Sequence, residues 1–220
     1  MALVLIIGAS RGIGLGLTQA YLAQGQRVIA TVRNPADKAW LQAEGAEVLV
    51  VDVADPASVS GLAWQLEGEG IDLALYVAGV WSDLGADNPP TQQAFDRVMH
   101  TNVLGAMQVL PQVAPLVEAA GGVFGLVSSG MSRLGQAAPD AWLYRTSKAA
   151  LNMVVACSQP QWPRARIVAL DPGWVQTDMG GPGATLTVEE SVQALVQTLR
   201  QVTAEDGGHL LHRSGRRLEG

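Results

Sequence analysis

Residues 3–23 join an unbroken apolar run to a glycine-rich turn and then to a helical pattern. This arrangement restricts the fold more than any other stretch of the chain. Leu3–Ile7 shows no alternation of apolar and polar side chains, so a strand formed there must be covered on both faces. The turn reads Gly8-Ala9-Ser10-Arg11-Gly12-Ile13-Gly14. Glycines at these places allow a tight turn and let the backbone approach a pyrophosphate. The helix that opens at Gly12 presents free N–H groups and the positive end of its dipole. The spacing is GxxxGxG rather than the more familiar GxGxxG. Gly8, Ser10, Arg11, Gly12, Ile13 and Gly14 are therefore candidate dinucleotide contacts, although an ordinary glycine turn would use similar residues.

The same alternation continues along the chain. Apolar runs at 27–32, 47–51, 71–77, 123–128 and 167–170 read as further strands, and helical patterns span 12–23, 91–119, 144–157 and 188–202. Strands alternating with helices imply an α/β fold. The expectation is a single domain over residues 1–220, with a Rossmann-like, doubly wound parallel sheet of about seven strands and helices on both faces. The stretch 172–183, rich in Pro and Gly, is a loop after a strand, on the edge where such sheets bind ligands.

Composition narrows the function. The chain is 48% hydrophobic and only 15% charged, which is globular composition. Its net charge of -6 comes without a basic cluster, so no nucleic-acid partner is expected. The single cysteine, Cys157, rules out an internal disulfide and is expected as a small buried apolar residue; no metal site is expected. Met1–Ile7 lacks a basic leader and reads as a strand rather than a signal peptide. No apolar run looks long enough to span a bilayer. A soluble cytoplasmic protein without a membrane partner is the expectation.

The strand at 27–32 ends in Val32-Arg33. An NAD-selective site has an acid here for the adenosine ribose hydroxyl. A guanidinium suits a 2′-phosphate instead, and Arg11 is a second candidate cation. Both arginines would otherwise be solvated surface residues. Asp52-Val53, after the next strand, resembles an adenine-contacting pair, but Asp52 could equally cap the following helix. Tyr144 and Lys148 stand four apart and share a helical face. A phenol is a poor base at neutral pH, and a nearby ammonium favours its phenolate, so the pair can exchange a proton with a carbonyl or alcohol oxygen.

Gly8–Gly14, Asp52-Val53, Ala78-Gly79, Asn102-Val103, Ser128-Ser129, Tyr144-xxx-Lys148 and Pro172-Gly173, in this order, resemble the short-chain dehydrogenase/reductase family over the whole chain. The segments 144–153 and 172–181 resemble its C-factor/Sniffer-like carbonyl reductase branch. The resemblance implies an oxidoreductase moving hydride between NADP(H) and a small carbonyl or alcohol substrate, with NAD(H) open as a second cofactor. It implies that Tyr144 transfers the proton and that Lys148 lowers its pKa and holds the nicotinamide ribose. Ser129 would hold the substrate oxygen, with Ser128 and Ser132 as alternatives. Asn102 would support a water-linked relay or merely hold its helix. Pro172, Gly173, Val175 and Thr177 would dock the nicotinamide end. A homodimer or homotetramer is implied as well.

Three departures stand out. Ile7 replaces the usual Thr, Tyr76-Val77 replaces Asn-Asn, and the stretch from Ser129 to Tyr144 is about two residues longer than usual. The first two remove polar links that brace the cofactor site. Trp81, Trp142, Trp174 and Met131 either line an apolar mouth or cover core and subunit contacts. A second reading is a cofactor-binding regulatory or signalling protein with little turnover.

Overall fold

The computed structural model describes residues 1–219. It contains eight strands: β1 (Leu3–Ile7), β2 (Arg27–Val32), β3 (Glu47–Val50), β4 (Leu73–Tyr76), β5 (Val123–Val127), β6 (Arg166–Asp171), β7 (Leu210–His212) and β8 (Arg217–Leu218). They form one sheet in the order β3-β2-β1-β4-β5-β6-β7-β8. Every pairing is parallel except β7 with β8. The direction of winding reverses between β1 and β4, and this leaves a crevice beyond their carboxyl ends.

Uniformly apolar strands follow from burial on both sides. All five residues of β1 and all five of β5 are buried. One face is covered by α1 (Gly12–Ala23) and α8 (Val188–Gln201), which place Leu17, Tyr21, Val192, Leu195 and Leu199 against the sheet. The other face is covered by α6 (Gly105–Ala120) and α7 (Trp142–Ser158), through Val109, Val113, Val117, Leu151 and Val155. Short helices α2 (Lys38–Ala43), α3 (Pro56–Ser60) and α4 (Leu62–Gln65) complete the first half. A capping box starts α8: Thr187 Oγ1 accepts the Glu190 N–H at 3.2 Å, and Glu190 Oε2 accepts the Thr187 N–H at 2.8 Å.

The helix expected over 91–119 is three pieces in one run: α5 (Gln92–Met99), a π-helical turn (His100–Leu104) and α6. By length and composition this run passes for a membrane span, with an 18-residue window of mean hydropathy 1.3, contrary to the sequence-based expectation that none would. Val109, Val113 and Val117 of the run pack on the sheet, while Phe95 and Met107 are exposed. Cys157 is also a correction. It is exposed, because α7 buries the stripe through Leu151, Val154 and Val155, and Cys157 falls off that stripe.

Candidate active site

The crevice has two ends. At the nucleotide end, Gly8 (φ +91°) and Gly12 (φ +54°) adopt left-handed backbone that other residues resist. A Cβ on Gly14 would lie 2.0 Å from the Gly8 carbonyl oxygen, so no side chain fits there. No side chain caps α1, which leaves its first N–H groups open. This cradle fits a pyrophosphate. Ser10 is half-buried within it. The hydroxyl missing at Ile7 is supplied from the neighbouring strand: the Gly8 N–H donates to Thr31 Oγ1 at 3.1 Å. Thr31 escaped the sequence reading, although a buried Thr in an apolar strand was a signal.

The two arginines part company. Arg33 is exposed and forms no ion pair among the described residues. Val32 beside it is buried. Arg11 instead reaches Asp178, Nη1 to Oδ2 at 2.7 Å, across to the loop after β6. In that loop Thr177 packs its methyl against Gly12, and Gly173 (φ +80°) lies tight against Leu186. Pro172 accepts from Ser191 Oγ through its carbonyl at 2.8 Å, and buried Val175 anchors the strand-like turn. Asp52 folds back to accept the Ala54 N–H at 3.0 Å, and Asp55 caps α3, so Asp52 does not. Val53 is buried, with its carbonyl toward Gly105.

The other end gathers buried side chains. Tyr144 lies in the first turn of α7 and is 7% exposed; Lys148, one turn on, is 3% exposed. Lys148 Nζ donates to the Val127 carbonyl at 2.7 Å and lies 5.7 Å from the Tyr144 ring centroid. Ala78 and Gly79 follow β4, and a Cβ on Gly79 would stand 3.5 Å from both Lys148 Nζ and Asn102 Oδ1. Asn102 is fully buried. Its side chain accepts the Val80 N–H at 2.8 Å and donates to the Val80 carbonyl and Ser147 Oγ, each at 2.9 Å. Its amide thus braces the segment after β4.

The three serines differ in their bonds. Ser128 Oγ donates to Asn152 Oδ1 at 2.6 Å, and Ser132 Oγ accepts from Asn152 Nδ2 at 2.8 Å and donates to the Ser129 carbonyl. Ser129 Oγ accepts from the Met131 N–H at 3.1 Å, and Ser129 acts on the Tyr144 phenol to lower its pKa. The long stretch between Ser129 and Tyr144 folds as two 3₁₀ turns and ends at Ala141, whose φ of +47° is strained for a non-glycine residue. Trp81 packs on Tyr144, with ring centroids 4.5 Å apart. Met131 is half-buried nearby, while Trp142 and Trp174 are largely exposed.

The Tyr76 departure is also answered. Its hydroxyl donates to the Thr101 carbonyl at 2.6 Å, inside the π-helical turn that carries Asn102. Tyr76 has room only because residue 105 is glycine: a Cβ there would lie 2.6 Å from the Tyr76 hydroxyl. A glycine inside a helical pattern is the sequence signal for such an approach.

Burial pushes the Tyr144 phenol up to about 12; the Ser129 hydrogen bond pulls it back and the Asp171 charge adds to the rise. Burial also takes Lys148 down to about 8. The phenol is therefore raised, not lowered as the Tyr–Lys spacing alone suggests, because desolvation is the largest influence on it. At neutral pH the phenol keeps its proton, the form that can give one to an oxygen.

A family model described as short chain dehydrogenase matches residues 2–202. The chain is 31% identical over 231 residues to 1-hydroxy-2-glutathionyl-2-methyl-3-butene dehydrogenase of Rhodococcus sp. (strain AD45), covering 100% of both. Its fold is similar to NADPH-bound carbonyl reductase from chicken fatty liver, with a TM-score of 0.87 and 30% identity over 100% of both chains. It is equally similar to carbonyl reductase Sniffer of D. melanogaster, with a TM-score of 0.88 and 25% identity over 100% of this chain and 99% of that one. The chain belongs to the short-chain dehydrogenase family.

Proposed function

We propose that the chain is an NADPH-dependent carbonyl reductase in which Tyr144 protonates the substrate oxygen. The observation that carries this reading is the buried Tyr144 phenol, raised in pKa and acted on by Ser129, in the same crevice as the glycine cradle. Similar solved structures hold NADP or NADPH. Gly8, Ser10, Gly12, Ile13 and Gly14 would hold the pyrophosphate, Asp52 and Val53 the adenine, and Arg33 the 2′-phosphate. Ala78, Gly79, Pro172, Gly173, Val175 and Thr177 would hold the nicotinamide half. When bound, NADPH supplies the hydride.

Ser129 orients the substrate oxygen toward Tyr144, and the phenol gives it a proton as negative charge develops there. Lys148 holds the nicotinamide ribose and is placed to return a proton to Tyr144. Asn102 keeps the segment after β4 in place, and any relay through it runs by its backbone carbonyl, since its amide is fully engaged. Exposed Met107 and Cys157 on the outer faces of α6 and α7, around a shallow depression with Pro111 and Trp162, and exposed Met153 on α7 support a homodimer or homotetramer.

The test is NADPH oxidation against a panel of aldehydes, ketones and quinones. Turnover on some of them is expected. Tight NADPH binding without turnover on any member would favour the regulatory reading instead.

A further inference from the structure

Asp171 closes β6 and takes no part in the mechanism above. It is 9% exposed. Its Oδ1 accepts the Gly173 N–H at 3.1 Å, which fixes the turn into the loop after β6. Its Oδ2 takes no hydrogen bond among the described residues, and it faces Gly130, where a Cβ would stand only 2.8 Å away. Gly130 follows Ser129 in the chain, so this oxygen abuts the segment that carries the group that would hold the substrate.

We infer that Asp171 is a substrate-selecting residue, whose free carboxylate oxygen receives a cationic group near the reacting carbonyl and turns anionic substrates away.

The inference rests on reading this site as the place of carbonyl reduction. The turn at Gly173 needs only one neutral acceptor, and Asn or Ser side chains supply such turns without charge. A carboxylate nine-tenths buried with one oxygen unused is open to a further hydrogen-bond donor. No such donor comes from the described residues. Lys148 is committed to Val127, and His212, opposite Asp171 in β7, pairs through Nδ1 with Ser214 Oγ at 2.8 Å. Arg213 gives Asp171 only its backbone N–H, at 3.0 Å to the carbonyl, while its side chain packs beside Gly173. The charge of Asp171 is felt by Tyr144 on α7, so the two groups act on one another across the carboxyl edge of the sheet.

The test compares wild type with Asp171→Asn, which keeps the acceptor for Gly173 and removes the charge. The probes are propiophenone and its β-ammonium, β-hydroxy and β-carboxylate derivatives at neutral pH. Both kcat/KM and the Kd of each ketone for the NADPH complex, read from quenching of bound-NADPH fluorescence, are measured. Wild type should favour the ammonium ketone over the carboxylate ketone. The variant should shrink that ratio by about tenfold to hundredfold, the span of one charge-assisted hydrogen bond, with propiophenone little changed. A wild type that prefers the carboxylate ketone overturns the inference without any variant, and so does a ratio the variant leaves unchanged. If the variant alters only the affinity for NADP+ relative to NADPH, the carboxylate serves the oxidised cofactor and the inference fails. If none of the ketones is reduced, the carbonyl reductase reading fails, and the Kd order still decides the role of Asp171.

Discussion

The β1–α1 turn presents backbone N–H groups and exposed guanidinium groups; the start of α7 presents side chains almost wholly removed from water. The Arg11 and Asp178 side chains are 66% and 78% exposed, whereas Asn102 is fully buried. Charges held in water attract a phosphate from a distance but are worth little each, because solvent and salt screen them. Polar groups held out of water shift one another's protonation strongly and cost stability. The nucleotide end is therefore suited to choosing and holding a ligand, and the tyrosine end to moving a proton. Changes at the two ends should separate binding from turnover.

The largest separation is expected from Tyr144→Phe. The ring and its packing on Trp81 remain while the transferable proton is lost. Turnover should fall by about 10²–10⁴-fold, the usual worth of a positioned general acid. NADPH affinity, measured by fluorescence titration, should stay at the wild-type value. A parallel loss of both would mean that Tyr144 belongs to the binding end.

What could be read from the sequence follows the same division between local and distant causes. The glycine turn was legible because its backbone conformations exclude other residues, and Tyr144 with Lys148 because four residues make one helical turn. Strands β1, β2, β4, β5 and β6 were legible because burial on both faces leaves largely apolar runs, while β3, at the sheet edge, is only partly buried. Strands β7 and β8, with three residues and two, are too short to carry a pattern. The rest depends on contacts between distant segments. Thr31 answers for Ile7 from the neighbouring strand, Tyr76 crosses to Thr101 only because of Gly105, and Asp178 meets Arg11 from a separate loop. The different bonding of Ser128, Ser129 and Ser132 depends on the position of Asn152, which binds two of them.

Lys148→Met tests what the buried end costs. The folded protein holds Lys148 near a pKa of about 8, below the ordinary value of 10.5, so it binds fewer protons than the unfolded chain between those pH values. The resulting penalty is fully present below pH 8 and is relieved as pH rises toward 10.5. It amounts to about 3 kcal/mol. Losing the hydrogen bond to the Val127 carbonyl returns about 1 kcal/mol of it. Urea unfolding at neutral pH should therefore find the Met variant about 2 kcal/mol more stable, despite weaker NADPH binding. Wild-type stability should climb between pH 8 and 10 while the variant stays flat. Above pH 10 the raised phenols act in the opposite sense in both proteins, because the unfolded chain then loses protons that the folded one keeps. A variant less stable than wild type at neutral pH would show that the Val127 contact outweighs the burial of charge.

The smallest effects belong to the exposed end, and they should differ between its two arginines. Arg33 has no carboxylate partner among the described residues and stands beside Val32, where an acid would repel a 2′-phosphate. Removing it should weaken NADPH binding by about tenfold to hundredfold and leave NADH nearly unchanged, since one charge-assisted contact spans that range. Arg11 is already neutralised by Asp178 at 2.7 Å, so its net field at the phosphate is smaller. An exposed ion pair contributes at most about 1 kcal/mol, so Arg11→Ala should change NADPH affinity by no more than about fivefold. Titrations of both cofactors against the two variants, at low and high salt, decide the order. The Arg33 effect should shrink as salt rises, because the contact is made in water. Equal losses from the two variants would mean that Arg11 abandons Asp178 for the ligand, and an Arg33 variant that loses NADH as well as NADPH would remove it from the 2′-phosphate altogether.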